Sequence, residues 1–161
     1  MPIIRIETVI RAPVERCFDL ARDPDLHARS VAHTGERVIS RTGKGLLGLG
    51  DVVTFEARHF GIRQQLTARI TRFEPPHLFE DQMVRGAFKS FRHVHTFEQT
   101  EAGTLMTDTF EYEPPLGLLG ALAARLFLTR YLRRLLTGRA AYLKQHAERE
   151  YADQSRSDIA R

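Results

Sequence analysis

The chain has 161 residues, 42% of them hydrophobic and 27% charged, with 24 basic against 20 acidic side chains for a net charge of +4. That length supports one domain with a real core, and the mixed charges weakly favour anionic partners or membrane surfaces but are no nucleic-acid signature without a concentrated patch. A single cysteine, Cys17, excludes an internal disulfide framework, and no apolar run is long enough to span a membrane as a helix.

The opening "MPIIRIETVI" lacks the basic-then-apolar layout of a signal peptide, so a cytoplasmic location is expected. Residues 3–11 alternate as a strand. "APVERCFDLARD" follows, with Pro13 suited to a first helical turn and Val14, Cys17, Phe18 and Ala21 on one apolar face. No activating neighbour accompanies Cys17, which reads as a small buried apolar residue. Asp23-Pro24 reads as a cap plus first-turn proline, opening a short second helix to about Ser30.

"RTGKGLLGLGDVV" sets Gly43, Gly45 and Gly48 at the spacing G-x-G-x-x-G. That fingerprint binds a dinucleotide only where a helix opens after it, and here "DVVTFEARHF" begins a strand instead. The stretch is a strand-to-strand loop carrying Leu46, Leu47 and Leu49 among its glycines. From 36 to 113 the period is two, with strands at about 36–42, 51–59, 62–73, 78–85, 88–99 and 104–113. All the connections except the glycine loop are short, which implies antiparallel hairpins. "PPLGLLGALAARLFLTRYLRRLLTGRAAYLKQHAEREY" is a long last helix, apolar almost all round in its first half. One domain is expected over 1–150, with 151–161 a frayed polar tail.

Strand, two short helices, six antiparallel strands and a long helix is the element order of the α+β helix-grip fold. The residues also resemble the START-like or SRPBCC superfamily, in its polyketide cyclase/dehydrase and lipid-transport branch. "VIRAPVERCFDLARDPD" is similar to that family's strand-to-helix opening, and "FEPPHLFEDQMVRGAFKSFRHVHTFEQTEAGTLMTDTFEYEPPLGLLG" to its central hairpins and last-helix entry. The resemblance spans roughly residues 3–147. It implies a curved seven-stranded antiparallel sheet wrapped around the C-terminal helix, with an apolar cavity between them.

Alternation assigns the cavity face. A tight turn at Gly61 pairs Ala57 with Gln64 and Phe55 with Leu66. Closing the "TEAG" turn sets Gln99 near Thr104, and counting back sets Phe97 by Met106, His95 across from Asp108, His93 by Phe110 and Phe91 by Tyr112. Phe79, Asp81 and Met83 share this face if the hairpin at Gly86 carries one bulged residue. Leu119, Leu122 and Leu126 of the helix complete the expected lining. His59 is expected to end a strand, and His27, His33, His77 and His146 to lie on the surface.

Three readings compete for the two imidazoles and two carboxylates. His93, His95 and Asp108 suit a metal by type, but no fourth ligand is visible and no metal or other cofactor is expected. A histidine oriented by Asp108 is the acid/base group of a polyketide cyclase or dehydratase. The preferred reading is a hydrogen-bonded polar stripe that orients a bound ligand or ties strands together, with no residue assigned a catalytic role. The expected function is binding or carriage of a hydrophobic small molecule, with Leu46, Leu47 and Leu49 as a gate. A third reading, from another class, is a membrane-surface or partner-binding module using that loop and Arg125, Arg130, Arg133, Arg134 and Arg139. Those arginines otherwise form a solvated face. No pattern specifies an oligomer.

Overall fold

The computed structural model describes residues 1–115 and 121–160, without the side chains of residues 121, 123 and 124. Its elements in order are β1 (Ile3–Ile10), α1 (Val14–Ala21), α2 (Pro24–Ser30), a 3-10 turn (Ala32–Thr34), β2 (Arg37–Arg41), β3 (Val52–His59), β4 (Ile62–Glu74), β5 (Leu78–Arg85), β6 (Ser90–Thr100), β7 (Gly103–Glu113) and α3 (Ala121–Ile159). Asp23 caps α2 as its sequence requires, its carboxylate accepting from the Asp25 and Leu26 amides, with Pro24 in the first turn.

The seven strands form one antiparallel sheet in the order β1-β7-β6-β5-β4-β3-β2. Every neighbouring pair from β2 to β7 is a hairpin or a loop-joined meander, and only β1 pairs at long range, with β7. The β6–β7 register is the one counted from the turn: Gln99 opposes Thr104, Phe97 Met106, His95 Asp108, His93 Phe110 and Phe91 Tyr112. Likewise Ala57 opposes Gln64 and Phe55 opposes Leu66. Asp81 faces His93 and Phe79 faces His95, so β5 presents the expected residues to the same side.

Two turns use special backbone. Phe60 and Gly61, both at positive φ, make the two-residue connection of β3 to β4, where left-handed geometry matches the strand twist. Gly103 opens β7 at φ +127°, and a Cβ there would sit 2.2 Å from the Ile10 carbonyl oxygen. On the convex side, buried Glu80 accepts from Thr71, Gln82 and Arg92, each at 2.8 Å, stapling β4, β5 and β6.

Helix α3 packs mainly on β1, α1 and α2. Phe18, Cys17, Phe97, Met106, Ala140 and Ala147 form a solid core where α1 and the later part of α3 close on the sheet. Cys17 is fully buried within it, and burial pushes its thiol up. The helix continues through Ile159, so 151–159 is helical rather than frayed, although its side chains are almost all exposed. Once a helix is nucleated, each further residue adds one hydrogen bond per residue fixed, and no Gly or Pro interrupts this stretch.

Candidate functional site

Away from that solid core, sheet and helix separate around a cavity of about 1180 Å³. The strands contribute Val53, Phe55, Ala57, Gln64, Leu66, Ala68, Phe79, Asp81, Phe91, His93, His95 and Phe110, and α3 contributes Leu128, Tyr131, Leu132, Leu135, Leu136 and Arg139. The cavity is walled mainly by apolar side chains, with polar groups on β5, β6 and the facing stripe of α3 and others at His27, Glu36, His59 and Gln64.

The polar stripe is built by register. Asp108 on β7 lies under His95 on β6, its Oδ1 2.6 Å from the imidazole Nδ1. Asp81 on β5 approaches the other ring nitrogen, Oδ2 to Nε2, at 3.3 Å. His93 stands against His95 with ring centroids 3.9 Å apart, and its Nε2 is buried without a hydrogen bond, 3.5 Å from Asp108. Phe79 stacks on His95 at 4.3 Å.

Burial opposes charge on His95, but its hydrogen bonds to the Asp108 and Asp81 carboxylates prevail and its pKa is raised. Burial, reinforced by the neighbouring His95, pushes His93 down to about 4. Burial would raise both aspartates, yet their histidine partners hold Asp81 and Asp108 below the usual carboxylate range. The stripe therefore favours the protonated form on His95, set between two carboxylates, and the neutral form on His93 beside it.

A second polar group faces the same cavity. Arg139 of α3 donates to Nδ1 of His27 at 2.7 Å, while His27 Nε2 lies 3.0 Å from Glu36 Oε1 and its ring stacks on Phe55 at 4.3 Å. That contact is poorly aligned, so Glu36 Oε1 has no hydrogen bond. Burial and then Arg139 hold His27 below its ordinary pKa. At the mouth, His59 Nδ1 is 2.6 Å from the Tyr131 hydroxyl, and Phe60 packs its ring 4.6 Å from Tyr131 and 5.6 Å from Phe127.

Several expectations are corrected. His27 is a wall residue, not a surface one, because α2 folds back over Phe55; Arg139 also leaves the solvated arginine series, whose members Arg125, Arg130, Arg133 and Arg134 are exposed. Met106 packs in the core beneath α1, and Tyr112 is fully buried with its hydroxyl 2.7 Å from Thr129, so neither opens on the cavity. Asp108 lies behind the two imidazoles, and Met83 packs at the cluster beside Ala68 and Phe91. Leu122 and Leu126 are exposed on the far side of α3: Leu126 is about 200° round the helix from Leu128. Leu119 lies outside the described residues.

In the glycine loop, Leu46 and Leu49 are exposed, but Leu47 is a fixed wall residue. Its amide donates to the Arg22 carbonyl at 3.1 Å and its carbonyl accepts from the Arg22 guanidinium at 3.0 Å. Asp51 closes the loop by accepting from Thr42 and from the Gly48 amide.

Arg139 was legible on one signal: Leu128, Leu132, Leu135 and Arg139 recur at helical spacing on the stripe that meets the cavity. His27 and Glu36 carry no comparable pattern, since their meeting depends on how α2 docks.

A curved antiparallel sheet gripping a long helix over an apolar cavity with a charged stripe defines a helix-grip, ligand-cavity architecture. The chain belongs to the polyketide cyclase/dehydrase and lipid-transport family, whose sequence profile matches residues 1–148. No curated protein matches it by sequence. Among solved structures it is similar to TTHA0849 from Thermus thermophilus, with 20% identity, a TM-score of 0.67 and coverage of 88% of this chain and 97% of that one. It also resembles the di-domain ARO/CYC StfQ from the steffimycin biosynthetic pathway, at 13% identity and TM-score 0.70, covering 92% of this chain and 51% of that one. A third likeness is the major latex-like protein 151 of Panax ginseng, with 14% identity, a TM-score of 0.64 and coverage of 91% and 97%. At these identities the structural likenesses establish the fold. Among the described residues no helix is long and apolar enough to cross a membrane.

Proposed function

We propose that the protein binds and carries a hydrophobic small molecule, lipid- or polyketide-like, inside the cavity. The observation that carries this reading is the cavity itself: about 1180 Å³ of mainly apolar space, somewhat more than the ~300–1000 Å³ of drug-sized sites. The His95 stripe and the Arg139–His27 pair orient the polar end of that molecule, and the leucine loop borders its entrance.

Native mass spectrometry of the purified protein tests this directly, with the delipidated protein titrated by the amphipathic, polarity-sensitive fluorophore 1-anilinonaphthalene-8-sulfonate. One fluorophore per chain is expected, and Ala57→Phe, which fills the floor of the cavity, weakens it about tenfold or more without loss of fold. Unchanged binding in that variant places the apolar site elsewhere and sinks the reading.

A cyclase or dehydratase reading is favoured by one observation, the His95 imidazole set between the Asp81 and Asp108 carboxylates at the cavity wall. It requires that a recovered ligand be chemically changed by the wild type and left intact, though still bound, by His95→Gln.

A further inference from the structure

We propose that Asp81, His93 and His95 form a binding site for a divalent transition-metal ion of the zinc or ferrous type on the cavity wall. This goes beyond carriage of an apolar molecule and stands whatever the cavity holds. One donor atom from each of the three side chains lies within 4.8 Å of the others. Three features of their surroundings point to a cation.

The first is spacing. His95 Nε2 and Asp81 Oδ2 are 3.3 Å apart, longer than the ~2.7–2.9 Å of a charge-assisted hydrogen bond. Two donors each about 2.0–2.2 Å from one ion stand roughly that far apart. The second is the support behind the ring. His95 gives its other nitrogen to Asp108 at 2.6 Å, the carboxylate–histidine arrangement that fixes tautomer and aim in metal sites. The third is His93, only 4% exposed, whose Nε2 has no hydrogen bond. A bound ion either satisfies that nitrogen or, bound through the other, turns its N–H toward Asp108.

Two imidazoles and one carboxylate select zinc, iron or cobalt over magnesium and calcium, which want oxygen ligands. The remaining coordination positions open into the cavity, where a ligand oxygen or water completes the sphere. Two carboxylates, Asp81 and Asp108, offset the ion's charge, and the nearby Arg139 weakens that field without cancelling it.

The test is titration of chelator-stripped protein with Co²⁺, read by visible absorption, followed by competition with Zn²⁺, Fe²⁺ under reducing conditions, and Mg²⁺. One Co²⁺ per chain is expected, displaced by Zn²⁺ or Fe²⁺ and not by Mg²⁺. Asp81→Asn and His95→Gln each abolish the absorption, and Asp108→Asn lowers affinity about 10–100-fold. Circular dichroism confirms that each variant is folded. Should a variant unfold, NMR of the wild type decides: the ring signals of His93 and His95 shift together on adding Zn²⁺, with His146 as the unshifted reference. No Co²⁺ uptake by the wild type, uptake unchanged in the folded Asp81→Asn variant, or shifts confined to other histidines overturns the proposal.

Discussion

His95 and Asp108 sit directly opposite each other on β6 and β7 and join Nδ1 to Oδ1 at 2.6 Å, both less than a tenth exposed. A buried ion pair of this kind couples its members strongly, because removing either leaves the other charge without its partner. In metal-free protein, a double-mutant cycle of His95→Gln and Asp108→Asn is expected to give a coupling of about 1–3 kcal/mol in urea denaturation. Additivity within about 0.5 kcal/mol refutes the pairing.

Acid weakens the fold through His27. Its ring is held neutral by burial and by Arg139, so below about pH 6.5 the unfolded chain binds a proton that the folded chain refuses. Stability therefore falls as pH drops through that value. Glu36 acts in the same direction at lower pH: it is held below 4.5, so its contribution is lost only as pH falls through its folded value. The urea midpoint of wild type is expected to decline from pH 7.5 to 5.5 more than that of His27→Gln. Parallel curves for the two proteins show that His27 is not a source of the decline.

Arg22 anchors the glycine loop at Leu47. Arg22→Ala removes the hydrogen bond to the Leu47 carbonyl and the cation stacked 5.4 Å over Phe18 and Phe73. Amide exchange at Leu47 is expected to speed up about tenfold or more, while β6 and β7 keep their protection. An unchanged Leu47 rate means that other contacts hold the loop.

Two glycines predict opposite signs. Gly103→Ala drives a methyl into the Ile10 backbone at a positive φ and is expected to cost about 2 kcal/mol or more. Gly138 in α3 has open space around its Cβ direction, so Gly138→Ala is expected to stabilise by up to about 1 kcal/mol. Thermal melts of the two variants decide, and a shift of the same sign in both contradicts this account.

The sheet and its registers were readable because hairpins are local. Fixing Gln99 against Thr104 at a short turn carries His95 to Asp108 by counting alone, and a period of two then assigns faces. The helices were less readable. An almost uniformly apolar start to α3 does not say which stripe meets the sheet, so apolarity alone points Leu126 inward and Arg139 outward, the reverse of their positions in the fold. His27 and Leu47 belong to the cavity through tertiary docking, of α2 onto β3 and of the loop onto Arg22, and neither leaves a periodic trace.

Phe60 occupies a left-handed turn position that a glycine or asparagine fills more easily, and its exposed ring reaches Phe127 and Tyr131 on α3. Hairpin tip and helix thus meet in an aromatic latch across the cavity mouth. All three rings also line the cavity, so on the carrier reading Phe60→Ala is expected to change the rates of entry and exit and the affinity together. For the carrier proposed above, the turn residue least comfortable in its backbone stands where cargo would enter and leave.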